Sequence, residues 1–217
     1  MHFKDRHEAG IKLAEKLKEY KNSKDAIVLA IPRGGVEVGY EIAKALNVKL
    51  EIIVTKKIGL QGDEEFAIGS IGPDKKVMIN EETIRIYNVP EDYIEGQKKE
   101  ISKEIERRYR AYKGKYELQS LKNKIVILTD DGIATGFTTK AAINYIKSQK
   151  PKKLILAVPV APSNLNNEIK KNVDEFICLH STNLFFSISQ FYDYFPQLED
   201  KEVKNYLKEI SVKNNRN

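Results

Sequence analysis

The sequence predicts an α/β fold, with a doubly wound and mostly parallel sheet flanked by helices, and three observations support this prediction. Short apolar runs alternate along the chain with segments of helical periodicity, as expected when each buried parallel strand is followed by a helix. The runs 26–31 and 50–55 enclose a glycine-containing turn and an amphipathic segment, which together predict a β–α–β unit. Two aspartates directly follow the apolar run 125–128, at the end of the strand where sheets of this class bind ligands.

The remaining elements follow in the order that such a sheet requires. Each predicted strand is a short, mainly apolar run, and these runs are 26–31, 50–55, 125–128, 154–160 and 174–179. The predicted helices share an apolar face: 6–20, 38–46, 91–113, a helix that begins near Thr138, and 200–211. The charge run of 91–113 is interpreted as a solvated helix face rather than as a nucleic-acid ridge.

Two segments do not fit this alternation and are predicted to form a small hood over the sheet. Residues 58–80 are rich in glycine, and within them 66–71 and 76–79 predict a hairpin. This pattern is compatible with a plain hairpin or with a mobile lid. Residues 180–197 are rich in aromatic side chains. The sequence contains no internal repeat and no linker, so residues 1–217 are expected to form a single domain.

Composition limits the class of protein. The chain has 217 residues, which is enough for one sizeable α/β domain with its own core. The net charge of +6 (37 basic minus 31 acidic residues) is mild and is interpreted as a solvated surface, so no nucleic-acid partner is expected. The single cysteine, Cys178, excludes an internal disulfide. No apolar run approaches the ~20 residues that span a membrane, and residues 1–7 lack a signal-peptide core, so we expect a cytoplasmic protein without a membrane partner.

Residues 129–139 are suited to hold an anion next to a pair of carboxylates. Glycine lets backbone amides approach an anion closely, and threonine adds hydroxyl donors. The residues of these two types are Gly132, Gly136, Thr135, Thr138 and Thr139. Asp130 and Asp131 can accept hydrogen bonds from vicinal hydroxyls and can hold Mg²⁺ through water. The alternative is an ordinary strand-to-helix turn, but such a turn needs one capping residue rather than this whole set.

This stretch resembles a known ligand-binding motif. Four apolar residues, Asp-Asp, two small or apolar residues and Ala-Thr-Gly resemble the phosphoribosyl-pyrophosphate (PRPP) motif of type I phosphoribosyltransferases, which is specific for PRPP. Other blocks resemble an uncharacterised branch of predicted phosphoribosyltransferases, and they are specific for that branch rather than for a substrate. These blocks are 3–10, 31–35, 56–59, 65–69 and 185–195.

The resemblance implies binding roles for the residues of the Asp-Asp motif. Asp130 and Asp131 would hold the ribose hydroxyls of PRPP and, through water, the Mg²⁺ cofactor. Seven residues would wrap the 5′-phosphate, mainly through backbone N–H groups and hydroxyls: Gly132, Ile133, Ala134, Thr135, Gly136, Phe137 and Thr138. Phe137 departs from the family pattern, in which glycine or a polar residue is common at this position.

The resemblance also implies a pyrophosphate loop after the first strand of the sheet. Its residues are Arg33, Gly34 and Gly35. In the family this loop often contains a cis peptide, here expected between Pro32 and Arg33. Lys57 matches a lysine that contacts pyrophosphate at the end of the next strand, and Lys56 is expected to share this task. Arg33 and Lys57 are expected to act in catalysis with the Asp-Asp pair; the alternatives are a surface turn at Arg33 and ordinary strand-end charges at the two lysines.

The resemblance implies transfer of a 5-phosphoribosyl group from PRPP to a nitrogen nucleophile, with release of pyrophosphate. Phe185 would stack on a nucleobase acceptor, although the aromatic residues around it are also compatible with core packing. Ala134 stands where phosphoribosyltransferases for 6-oxopurines have an aspartate, so a standard 6-oxopurine acceptor is not expected. A homodimer is expected from the family. The alternative function is a non-catalytic regulatory protein that senses PRPP or nucleotides.

Overall fold

Eight strands and seven α-helices occupy residues 1–214, the part of the chain that this computed structural model describes, apart from the side chains of Glu65, Lys213 and Asn214. The strands are β1 (Ala26–Ala30), β2 (Lys49–Ile52), β3 (Lys56–Leu60), β4 (Asp63–Ile71), β5 (Val77–Ile79), β6 (Ile125–Thr129), β7 (Lys153–Pro162) and β8 (Glu175–Thr182). The helices are α1 (Arg6–Lys16), α2 (Gly34–Leu46), α3 (Glu81–Ile86), α4 (Glu91–Lys113), α5 (Phe137–Ser148), α6 (Asn166–Lys170) and α7 (Asp200–Asn214).

Five of the strands form a parallel sheet in the order β2-β1-β6-β7-β8, which confirms the predicted fold class. The chain runs from β1 outward to β2 on one side and from β6 through β8 on the other. The strand order therefore reverses between β1 and β6. Ligands of open α/β sheets bind at this kind of reversal, beyond the carboxyl ends of the strands. The loops that leave β1 and β6 are the two that were predicted to bind PRPP.

Alternate residues of each central strand pack into two separate cores, one on each face of the sheet. In β1, Val28 belongs to one core and Leu29 to the other. In β6, Ile127 belongs to the first core, and Val126 and Leu128 belong to the second. Burial on both faces explains why these strands are uninterrupted apolar runs rather than alternating sequences.

A second sheet, β3-β4-β5, is antiparallel and packs against α4 and α5. The predicted hairpin is confirmed as β4 and β5. The predicted carboxyl end of the strand over 50–55 was wrong, because β2 ends at Ile52. Lys56 and Lys57 begin β3 of the small sheet instead, since they pair with Ser70 and Ile71 of β4.

The helices agree with the predicted pattern except for the short helices α3 and α6, which the sequence did not predict. The bounds of α4 are those expected, and it ends where Gly114 adopts a positive φ of 76°. Its buried face is formed by Ile101, Ile105, Tyr109 and Tyr112. Among residues 1–214, no helix has both the length and the apolar content needed to cross a membrane.

Candidate functional site

The loop after β1 packs directly onto the two aspartates after β6. A Cβ atom built on Gly34 would lie 1.8 Å from Oδ2 of Asp131, and one built on Gly35 would lie 2.9 Å from Oδ1 of Asp130. No side chain fits into either space, so glycine is required for the two loops to approach. The peptide between Pro32 and Arg33 is cis, as expected. The structure thus brings together the two acidic residues and the two glycines that the sequence predicted.

The carboxylate of Asp131 is held by a buried arginine that was not predicted. Nε of Arg6 donates to Oδ2 of Asp131 at 2.8 Å, and Nη1 of Arg6 donates to the carbonyl of Pro196 at 2.8 Å. The guanidinium carbon of Arg6 lies 3.7 Å from the ring centroid of Phe195. The hydroxyl of Tyr192 donates to the main-chain carbonyl of Asp131 at 2.6 Å. These contacts join the start of α1, the Asp-Asp loop and the segment 192–196.

Asp130 differs from its neighbour in both charge and exposure. Its side chain is half-buried, and its Oδ1 accepts the backbone N–H of Asp131 at 2.8 Å. Burial raises the pKa of Asp130 well above its usual range, and the adjacent charge of Asp131 raises it further. Within residues 1–214, Arg6 forms an ion pair with Asp131, whereas Asp130 forms none. Asp131 is therefore held by an ion pair with Arg6, whereas Asp130 has no such partner among the described residues and is open to ligand.

A cavity of about 330 Å³ lies between the loop after β1, the start of β3 and the start of α5. Five of the predicted site residues line it: Lys56, Lys57, Thr135, Phe137 and Thr138. Pro32 and Arg108 also line it, and Arg108 comes from α4, which the sequence did not connect with the site. Oγ1 of Thr55 donates to the carbonyl of Thr138 at 3.2 Å and fixes the segment between the sheets to α5. The cavity has the size of a small-molecule site and combines cationic groups with hydroxyl donors.

The loop between β6 and α5 has the backbone that an anion site requires. Gly136 precedes the helix with a positive φ of 79°, a conformation that favours glycine. Gly132 packs against Val160 and Ile188, and the N–H of Ile133 donates to the carbonyl of Val160 at 2.9 Å. The side chain of Ile133 is buried in the core, so this residue can serve a ligand only through its backbone.

The start of α5 is exposed and free of negative charge. The side chains of Ala134, Thr135 and Thr138 are exposed, and the first turn of the helix contains no acidic residue. The first N–H groups of a helix lack partners within it, and the helix dipole favours an anion there. This geometry is suited to a phosphate group.

Arg33 and Phe185 are among the predicted site residues that do not line the cavity. Nη1 of Arg33 lies 3.7 Å from Asp200, at the start of α7, and Arg33 is not among the residues that line the cavity. The ring of Phe185 packs against Phe191, with 5.1 Å between their centroids, in a small aromatic core. The segment 180–197 reaches the Asp-Asp loop through Ile188, which contacts Gly132, and through the hydroxyl of Tyr192, which donates to the carbonyl of Asp131.

Comparison with known proteins identifies the family of this chain. The family model described as "Phosphoribosyl transferase domain" matches residues 3–195. The chain belongs to the phosphoribosyltransferase family. A Mycobacterium tuberculosis protein named "Putative phosphoribosyl transferase" is 34% identical over 205 residues, which cover 94% of this chain and 46% of that protein. This phosphoribosyltransferase chain thus spans about half the length of its mycobacterial relatives.

Solved structures support the assignment of the fold. The crystal structure of TT1426 from Thermus thermophilus matches with a TM-score of 0.82 and 31% identity, over 96% of this chain and 99% of that one. A Neisseria gonorrhoeae protein crystallised with bound ppGpp matches with a TM-score of 0.50 and 14% identity, over 96% and 98% of the two chains. The second match shows similarity of fold alone. The resemblance to type I phosphoribosyltransferases that the Asp-Asp motif predicted is confirmed.

Proposed function

We propose that this protein is an enzyme that transfers the 5-phosphoribosyl group of PRPP to a nitrogen nucleophile and releases pyrophosphate. The main support is the contact between the Gly34-Gly35 loop and the Asp130-Asp131 pair at the reversal of strand order. Membership of the phosphoribosyltransferase family also supports this activity. In this proposal the protein aligns the two reactants and stabilises the negative charge that develops on the leaving pyrophosphate.

Each part of PRPP has a proposed set of partners. Asp130 and Asp131 accept hydrogen bonds from the ribose hydroxyls, and residues 132–138 bind the 5′-phosphate through backbone N–H groups and the hydroxyls of Thr135 and Thr138. The pyrophosphate is bound by the loop after β1 and by the start of β3. The residues proposed for this task are Arg33, Gly34, Gly35, Lys56 and Lys57. The cavity at the start of β3 supports the role of the lysines, since Lys56 and Lys57 both line it.

The acidic pair fits Mg²⁺ as a cofactor that is bound together with the substrate. In the described part of the chain, no group of three or more His, Cys, Asp or Glu side chains could hold a metal ion on its own. Magnesium retains several waters and binds through one or two carboxylates together with substrate phosphates, so it does not need such a cage. We propose that Asp130 and Asp131 hold it through water. When bound, the ion would neutralise charge on the pyrophosphate.

The acceptor is proposed to be a nucleobase other than a standard 6-oxopurine. Ala134 lacks the carboxylate that the 6-oxopurine enzymes have at this position, and Phe185 offers an aromatic ring on the segment 180–197. The segment borders the Asp-Asp loop through Ile188, which supports its position on the acceptor side. We expect the enzyme to act in nucleotide metabolism, in the cytoplasm, as a homodimer, and without a nucleic-acid or membrane partner.

The test is pyrophosphate release from PRPP with a panel of purine and pyrimidine bases, with and without Mg²⁺. Calorimetry measures PRPP binding in parallel. We expect Mg²⁺-dependent release with at least one base, and we expect its loss in Asp130→Asn. If wild-type protein neither binds PRPP nor turns over any base, the proposal is wrong. Binding of PRPP without turnover would favour a regulatory protein that senses PRPP or nucleotides.

A further inference from the structure

Helix α4 contributes a cation to the wall of the cavity at the start of β3. Arg108 lines that cavity, and its side chain is 28% exposed, whereas the neighbouring Arg107 is 57% exposed and lies outside it. The motif blocks that resemble the family do not include α4, and no role was predicted for any residue of this helix.

The charge of Arg108 is not fully neutralised within the protein. Its Nε donates to Oε1 of Glu104 at 2.8 Å, and Arg107 donates to both oxygens of the same carboxylate, at 2.6 and 3.0 Å. One carboxylate is therefore shared by two guanidinium groups. Hydrogen bonds from these arginines lower the pKa of Glu104 to about 2, so Glu104 carries its charge at neutral pH. The balance of Glu104, Arg107 and Arg108 is one positive charge. Asp200 lies 3.6 Å from Arg107 and 3.7 Å from Arg33, and adding this second pair leaves the balance at one positive charge.

The guanidinium of Arg108 has N–H donors that its ion pair with Glu104 does not use. Among the described residues, its hydrogen bond to Glu104 uses Nε alone, which leaves the two Nη nitrogens. A guanidinium offers planar, paired donors that match the oxygens of a phosphate group. Fixing Nε by an ion pair orients this group before a ligand arrives.

The rest of the cavity wall is suited to the same ligand. It contains Lys56, Lys57, Thr135 and Thr138, and none of its lining residues in the described chain is an Asp or a Glu. Three cations and three hydroxyl-bearing residues line this cavity of about 330 Å³, and such surroundings favour a multiply charged anion.

We propose that Arg108 is a further phosphate-binding residue of this site, one that contacts the phosphate oxygens of PRPP and of released pyrophosphate together with Lys56 and Lys57. This inference rests on the proposed function, because it assumes that the cavity belongs to the PRPP site. Arg108 would then oppose the Asp-Asp loop across the ligand and bring α4 into the substrate-binding surface.

Arg110 provides a matched control on the same helix. It pairs with Glu106 four residues earlier at 2.8 Å, the distance and spacing at which Arg108 pairs with Glu104. Its side chain is 60% exposed and does not line the cavity. Neither substitution leaves a carboxylate without a partner, because Glu104 keeps Arg107 and Glu106 keeps Lys75. The two variants therefore differ mainly in the position of the lost charge.

Calorimetry with PRPP and with inorganic pyrophosphate tests the inference on the wild-type chain of 217 residues, Arg108→Gln and Arg110→Gln. Arg108→Gln is expected to weaken the binding of both ligands about tenfold, as for the loss of one charged hydrogen-bonding partner. Arg110→Gln is expected to bind both within about twofold of wild type. Equal affinities of the two variants would overturn the inference and leave the proposed function intact.

The lysine variants keep the test valid if a glutamine variant fails to fold. Arg108→Lys retains the charge but loses the planar pair of donors, so it is expected to bind pyrophosphate several-fold more weakly than Arg110→Lys. Melting temperatures of all variants show whether the fold is retained. Equal pyrophosphate affinities of Arg108→Lys and Arg110→Lys would contradict a contact with Arg108. Absence of PRPP and pyrophosphate binding in the wild type would overturn the proposed function, and this inference with it.

Discussion

Nε of Arg6 lies 2.8 Å from Oδ2 of Asp131, although 125 residues separate them along the chain. Both side chains are largely buried, with 5% and 12% of their areas exposed. The pair connects the first residue of α1 to the loop that is proposed to bind the ribose of PRPP. Because Arg6 also donates to the carbonyl of Pro196, the same side chain fixes the segment that is proposed to border the acceptor.

We expect Arg6→Met to destabilise the fold by about 3–5 kcal/mol, because it leaves the buried carboxylate of Asp131 without a counter-charge. Urea unfolding followed by circular dichroism measures this change. The double variant Arg6→Met, Asp131→Asn is the control. It should lose less stability than the sum of the two single variants, since the second substitution removes the unpaired charge. Additive losses would show that the two side chains do not interact in solution.

Gly34 is expected to tolerate no side chain, because a Cβ there would overlap Oδ2 of Asp131 at 1.8 Å. Relief of that overlap must move either the loop after β1 or the carboxylate. Overpacking of this kind costs roughly 1–3 kcal/mol, so Gly34→Ala should weaken PRPP binding about tenfold or more. Calorimetry measures the affinity.

The control for this substitution is Gly96→Ala in α4, where a Cβ would meet nothing within 4 Å. It should leave PRPP affinity unchanged and should raise stability by roughly 0.5–1 kcal/mol, because alanine is the better helix former. If Gly34→Ala binds PRPP as tightly as Gly96→Ala does, the close contact of the two loops is not required for binding.

The central sheet could be predicted because strands buried on both faces are continuous apolar runs, as in β1 and β6. The loop after β6 could be predicted from its residue types. Glycine permits close approach of the backbone to a ligand, threonine supplies hydroxyl donors and aspartate supplies carboxylates. Arg6 could not, because the periodicity of α1 predicts a helix but does not reveal that its first side chain meets Asp131. Arg108 could not, because its i, i+4 glutamate pairing is the same as that of Arg110. Only the packing of α4 against β3 distinguishes the two arginines.

The shared carboxylate of Glu104 predicts a dependence of stability on pH. Its pKa in the folded protein is lowered to about 2 from the ordinary value of 4.5. A lowered pKa stabilises the folded state above the ordinary value, and this contribution is lost as the pH falls from about 4.5 towards 2. Urea midpoints of wild type and Glu104→Gln should therefore differ at pH 6 and converge as the pH is lowered to 3. A difference that stays constant over this range would contradict the ion pairing with Arg107 and Arg108.

The acceptor side can be tested by comparing two adjacent phenylalanines. Phe185 packs partly against Phe191, whereas Phe186 is 88% exposed. If Phe185 stacks on the base, Phe185→Ala should raise the KM for the most active base of the panel about two- to tenfold, as for loss of an aromatic contact of about 0.5–1.5 kcal/mol. The affinity for PRPP should stay within about twofold, because PRPP is proposed to bind other loops. Phe186→Ala is the matched control and should change neither quantity. A raised KM in Phe186→Ala, with no change in Phe185→Ala, would transfer the stacking role to Phe186.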